Sequence, residues 1–376
     1  MIRFRQVRVS RSGDEVTATI LGPGPDDSFD LWFRSSGARL TAAPEAFVTA
    51  ALPVAMGHGV ELRSPGRVPP RFLESLNRWQ RIFAAWLPDQ LTTTTVRART
   101  RRPVAPAPGV AAFFTGGVDS FYTALEHHDR LDGLVYVWGF DIPLDQWPEL
   151  RKEVALGVRA AASELGLPLV ELETNLHDWS DRHGAAWGTT YHAVALSAIA
   201  HLLAPSFGEL LVGSTYTYRD LFAWGSTPVT DPLLGSDRMT ITHDGCEADR
   251  VERIRRIAES EVALRHLRVC WENRDLAYNC GVCEKCIRTM IALQICGKLD
   301  VCETLPAIDL DQVRALPHNY VAVVARLVEL VEHLRRSGAD PELLAACEES
   351  LHHQDPSIVR WDLDWGDVMP LLFDQP

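Results

Sequence analysis

The chain has 376 residues and a formal net charge of -13, with 46% hydrophobic and 23% charged residues. That length allows two domains and a sizeable core, and the composition is that of an ordinary globular protein. The acidic balance argues against a protein whose main task is gripping nucleic-acid backbones, and no run approaches the ~18 apolar residues of a membrane span.

The first residues lead into alternating polar and apolar positions without the apolar core of a signal peptide, so a cytoplasmic location is expected. Residues 1 to about 65 read as short strands: Ile2–Val9, Glu15–Leu21 and Phe29–Arg34, with Gly22-Pro23-Gly24-Pro25 as a turn. Pro69–Leu87 has the helical spacing of Phe72, Leu76, Trp79, Ile82 and Phe83. Arg97, Arg99, Arg101 and Arg102 form either a solvated edge or a local basic patch, and the proline-rich stretch from Arg102 to Gly109 reads as a linker.

From Gly109 strands and helices alternate. Strands are expected at Val110–Phe114, Gly133–Phe140, Leu169–Thr174 and Glu209–Ser214, with helices to about His128 and over Glu149–Leu165 and Thr190–Leu203. This pattern builds a doubly wound parallel sheet of α/β class, whose ligands bind beyond the carboxyl ends of its strands. The stretch after Ser214 reads as a long loop to about His243, carrying Arg238 and His243 and able to close over a site. Helices are then expected over Ala248–Leu267, Thr289–Gly297 and, in an amphipathic tail, Leu310 to about Leu351. That tail can cover the sheet or form a homodimer contact. The divisions are a β-rich N-terminal domain (1–105), an α/β domain with a cysteine cluster (106–300) and a helical C-terminal extension (301–376).

The segment Thr115-Gly116-Gly117-Val118-Asp119-Ser120 joins the first of the alternating strands to a helix. Two glycines let backbone N–H groups turn toward an anion, the helix N-terminus adds partial positive charge, and Thr115 and Ser120 add hydroxyl donors. Asp119 beside phosphates calls for a cation such as Mg²⁺. The bland alternative is a tight strand-to-helix turn. Asp141, after the second strand, is either an adenosine contact or an ordinary loop aspartate. Gly213 and Ser214 end the fourth strand on the same ligand-facing edge. Arg219 and Asp220, just beyond, either meet phosphate or substrate or form a surface ion pair. His192 and His201 read as structural, and Trp147, Trp179, Trp187 and Trp224 as packing or loop anchors.

None of the eight cysteines precedes Cys246, and Cys270, Cys280, Cys283 and Cys286 fall within seventeen residues. Four thiols so spaced suit a closed tetrahedral Zn²⁺ site, with Lys285 and Arg288 offsetting its charge. Buried free cysteines, or redox work through Cys-x-x-Cys, are the alternatives.

The loop resembles the S-G-G-x-D-S signature of the PP-loop ATP pyrophosphatase superfamily, with Thr115 for the first serine. Together with Asn279-Cys280-Gly281-Val282-Cys283-Glu284-Lys285-Cys286-Ile287-Arg288, it resembles the 7-cyano-7-deazaguanine synthase (QueC) family over about Val110–Lys298. The resemblance implies an adenine nucleotide alpha hydrolase-like (HUP) fold, ATP held by residues 115–120 with Mg²⁺, and zinc on the four cysteines. It implies a C–N ligase that adenylates a carboxylate or amide oxygen, releases pyrophosphate and adds ammonia or another nucleophile, with Asp119, Ser120 and Arg219 as catalytic candidates. About a hundred residues precede the loop where the family has almost none, and Gly213–Asp220 lacks the family's substrate wording. A different acceptor, including a peptide or protein met by the N-terminal domain, is therefore expected. Adenylation-dependent sulfur transfer and a non-catalytic ATP-binding sensor are the alternatives.

Overall fold

The computed structural model describes residues 1–316, 321–338 and 340–352. Part of the expected C-terminal extension, 353–376, lies outside them. The chain divides into two compact units. One comprises Met1–Thr115, Thr123–Gln146 and Ala162–Glu247; the other comprises Gly116–Tyr122, Trp147–Ala161 and the described residues from Ala248 onward.

The first unit is built on one eight-stranded sheet. β1 (Arg3–Val9), β2 (Glu15–Leu21) and β3 (Ser28–Ser36) form an antiparallel meander. β2 shows why: Val16, Ala18 and Ile20 alternate inward and are almost wholly buried, leaving the residues between them half-buried. α1 (Pro44–Gly57) follows, then β4 (Leu62–Val68), α2 (Pro70–Trp86) and β5 (Val96–Thr100), with β4 and β5 paired in parallel apart from the main sheet. β6 (Gly109–Phe113) leads through the glycine loop into α3 (Val118–Glu126). In chain order come β7 (Gly133–Trp138), α4 (Pro148–Glu164), β8 (Leu169–Thr174), α5 (Leu176–Arg182), α6 (His192–Leu202), β9 (Phe207–Gly213) and β10 (Thr240–Asp244).

The sheet order is β1-β2-β3-β8-β7-β6-β9-β10. From β8 to β10 all neighbours are parallel, and the chain leaves β6 first toward β7 and β8 and then returns to its other side at β9 and β10. That reversal makes the β6/β9 boundary a switch point, where parallel sheets open a crevice beyond their strand ends.

Three features differ from the sequence expectation. The N-terminal strands do not build a sheet of their own: β3 pairs antiparallel with β8, Phe33 opposite Thr174, and extends the central sheet. Residues 44–57 are helical rather than strand because α1 is apolar on every side and buried throughout, so it shows no helical stripe. β10 occupies part of the expected long loop, and its five residues pair Ile241 with Leu210.

The second unit is helical: α7 (Arg250–Ile257), α8 (Glu261–His266), α9 (Glu284–Ile295), α10 (Leu310–Arg314), α11 (Val321–Ser337) and α12 (Pro341–His352). The single helix expected over Ala248–Leu267 is broken at Ser260, whose hydroxyl accepts from the Ala263 N–H and starts α8 afresh. Among the described residues no helix is long and apolar enough to cross a membrane.

Candidate functional site

The glycine loop has the conformation its sequence demands. Gly116 sits at φ +75°, where a side chain would be strained. Its carbonyl accepts from the Arg268 N–H at 2.8 Å, and Ser120 Oγ donates to the Gly117 carbonyl at 3.0 Å. Thr115 is exposed and Ser120 buried.

Asp119 meets two arginines. Asp249 and Glu252 form a reciprocal capping box that fixes the start of α7, and Arg250 and Arg253, three apart, then share a face. Arg250 Nη1 lies 3.2 Å and Arg253 Nη1 2.9 Å from Asp119 Oδ1. Burial alone would raise the Asp119 carboxyl, but Arg250, Arg253 and Lys285 outweigh it and hold it below the ordinary carboxylate value. Beside Asp119 the sequence suggested only Mg²⁺; the chain itself supplies two arginines from a helix more than a hundred residues away.

These charges belong to a larger cluster. Arg288 pairs with Glu284 one helical turn earlier on α9, and both interact with Arg250 and with Arg326 on α11. Arg250, Arg253, Lys285, Arg288 and Arg326 thus face Asp119 and Glu284, with Glu329 coupled to Arg288 at the margin. Burial first, then Arg326 and Arg250, press the Arg288 guanidinium down to about 9. Among the described residues, the buried Nε donors of Arg250, Arg268 and Arg288 have no hydrogen-bond partner. A buried donor without an acceptor costs about 1–3 kcal/mol. An excess of buried cations with donors to spare is therefore what an anion would satisfy.

The four cysteines converge as their spacing suggests. Cys270 and Cys283 Sγ atoms are 3.8 Å apart, Cys280 and Cys286 3.9 Å, and all four lie within 4.8 Å of one another. Four thiolates about 2.3 Å from one ion define a tetrahedron with edges of about 3.8 Å, so the group can hold a metal ion. Backbone N–H groups of Asn273 and Cys283 donate to Cys270 and Cys280 sulfurs. Gly281 turns between them at φ +73°, where a Cβ would come 2.7 Å from Pro306. Asn279 fastens the two ligand-bearing segments, its Oδ1 accepting from the Val269 and Cys270 N–H groups and its Nδ2 donating to the Leu267 and Thr304 carbonyls. Hydrogen bonds from Cys283 and Cys286 pull the Cys270 thiol far below its ordinary value. Cys270 lies two residues beyond Arg268, whose backbone holds Gly116, so one short segment serves both the thiols and the loop.

In the first unit, Asp141 is exposed beyond β7, and Gly213 pairs with Asp244 at the end of β9. Ser214 is buried; its Oγ donates to the Tyr216 carbonyl and accepts from Cys246 Sγ at 3.2 Å. Arg219 is exposed on a short turn, while Asp220 accepts from the Thr217 hydroxyl. His243 is not on a mobile loop: it lies in β10, with Nδ1 2.8 Å from the fully buried Asp231. Burial would lower this imidazole, yet Asp231 and Cys246 raise it to about 9. In the basic run before the linker, Arg97 is bound to Glu61 and Arg101 to Glu45 and Asp237, while Arg99 and Arg102 are exposed.

No protein-family model matches the chain, and neither a curated protein nor a solved structure matches it.

Proposed function

We propose that the chain is a cytoplasmic, ATP-dependent C–N ligase resembling the 7-cyano-7-deazaguanine synthase family within the PP-loop superfamily, on a HUP-type sheet. The observation that carries this is the cation excess around Asp119, with its unpartnered buried guanidinium donors, against a glycine loop opening a helix. That combination suits a polyphosphate: loop N–H groups and the arginines take its oxygens. Mg²⁺, if bound, would neutralise further phosphate charge. Zn²⁺ on Cys270, Cys280, Cys283 and Cys286 would be structural, bracing the segment that holds Gly116.

A substrate carboxylate or amide oxygen attacks the α-phosphorus, the bond to the β-phosphate oxygen breaks and pyrophosphate leaves. Ammonia or another nucleophile then attacks the activated carbon, and AMP departs with the bonding electrons. The chain contributes positioning and charge stabilisation, with Arg250 and Arg253 near the departing pyrophosphate. The test incubates protein, ATP and Mg²⁺ with candidate acids and ammonia and follows AMP and pyrophosphate. Formation of ADP alone, or full activity in Arg250→Gln with Asp119→Ala, would sink the proposal. ATP binding without turnover under every acceptor tried would favour a sensor.

Sulfur transfer has one observation in its favour. The buried Cys246 lies against the His243–Asp231 pair, its Sγ donating to Ser214 Oγ. Loss of product in Cys246→Ser, with pyrophosphate release intact, would point to that second reading.

A further inference from the structure

β7, β8 and β9 run parallel, and the segments beyond their carboxyl ends carry a group of aromatic side chains. Phe140 lies two residues past β7, His177 three past β8 and Tyr216 three past β9. Trp187 begins a π-helical turn, Trp187–Tyr191, a rare geometry found frequently at functional sites. Its ring is approached by Phe140 at 4.7 Å and by His177 edge-on at 4.3 Å. The next residue has to be glycine: a Cβ at Gly188 would stand 2.8 Å from Trp224, and the Gly225 N–H bonds the Gly188 carbonyl. Trp224 is thereby brought beside the π turn, with Tyr216 and Phe222 each 5.7 Å from it.

This differs from core aromatic packing. Trp79 and Phe83 stack at 4.0 Å and are almost fully buried, whereas all six rings here are only half-buried. Exposed carboxylates accompany them: Asp141 follows Phe140, Asp178 follows His177, and Asp145 and Asp181 stand close enough to act on Asp178. Burial and then those two carboxylates raise Asp178 despite His177. Half-buried rings and crowded carboxylates share one preference, which is for a cation.

We propose that this patch binds the alkylammonium or guanidinium group of a substrate, with Trp187 as the principal ring and Asp178 on the acidic rim. Whether that substrate is the acceptor or the nucleophile of a ligase rests on the function proposed above; the binding itself does not. The group can belong to a free amine or to a lysine or arginine in a peptide.

The test is calorimetry on the full chain without nucleotide, using choline, its neutral isostere 3,3-dimethyl-1-butanol, arginine amide and a short arginine-containing peptide. The cations bind saturably, the isostere binds about tenfold more weakly or less, and Trp187→Leu loses about tenfold, the scale of one desolvated cation–π contact. Asp178→Asn, which leaves the ring packing untouched, weakens the cations and not the isostere. Tighter binding of the peptide than of arginine amide assigns a polypeptide source, and equal binding assigns a small amine. Equal affinity for choline and its isostere, no saturable binding of any cation, or wild-type binding in Asp178→Asn overturns the proposal. Such a failure leaves pyrophosphate release unaffected, so it is distinguishable from failure of the ligase reaction.

Discussion

Two buried charge clusters in this chain are built on opposite principles. Around β10, Asp231 and His243 neutralise one another, and Ser226 and Thr227 supply the remaining donors to the Asp231 carboxylate. Around Asp119, among the described residues, arginines outnumber the carboxylates they meet, and the Nε donors of Arg250 and Arg288 find no acceptor. A closed pair gains little from any ligand and serves to hold β10 against the Ser226–Asp231 turn. On the proposed function, the open cluster is the one an anion would complete. The difference separates the two networks more sharply than burial does, since both are largely out of solvent.

The largest expected effect is on the brace shared by thiols and loop. If the four cysteines hold a metal as proposed, chelation, or Cys283→Ser, should abolish its binding and with it nucleotide binding, because structural metal sites of this kind contribute on the order of 10 kcal/mol. Metal analysis alongside ATP calorimetry checks it; full ATP affinity in the metal-free chain would uncouple the two.

Next comes the closed pair. Asp231→Ala strands a buried imidazolium and should cost about 3–5 kcal/mol in urea unfolding. Added pyrophosphate should restore none of it. Asp119→Asn provides the contrast, since it leaves Arg250 and Arg253 facing each other: a smaller loss, about 2 kcal/mol, that pyrophosphate recovers. Recovery in both variants, or in neither, would erase the distinction between the clusters.

pH sharpens it further. His243 is held at about 9 against an ordinary 6.5, so its contribution is complete below about pH 6.5 and is lost as pH rises through 9. The stability gap between wild type and His243→Gln should therefore close between pH 7 and 10, followed by unfolding midpoints. The smallest effect is Gly116→Ala. A Cβ there would meet the His266 carbonyl and the Arg268 Cβ only at ordinary contact distance, 3.7 and 3.9 Å, so the strain of a positive φ dominates and costs about 1 kcal/mol, read as a modest fall in melting temperature with weaker ATP binding.

What could be read locally was read well. β8 spans the residues its alternation predicts, and β6, β7 and β9 lie within two residues of their expected bounds. The glycine turn at Gly116 and the convergence of four thiols follow from residue type and spacing, because both are solved within a few residues of chain. α1 was missed because a helix buried on all sides has no periodic stripe, and β10 because five residues such as Thr-Ile-Thr-His-Asp carry too little pattern to stand out from a loop.

The sequence by itself determined the parallel strands, the glycine turn at Gly116 and a cysteine set able to hold a metal ion, all products of short-range periodicity and spacing. Tertiary structure alone decided that β3 would extend the central sheet through β8, and that Arg250 and Arg253 would meet Asp119. It alone also gathered half-buried aromatic rings and carboxylates beyond β7, β8 and β9. Strand pairing, charge compensation and ring packing join residues tens to more than a hundred positions apart, and each is chosen by the energy of the assembled contacts rather than by any local preference.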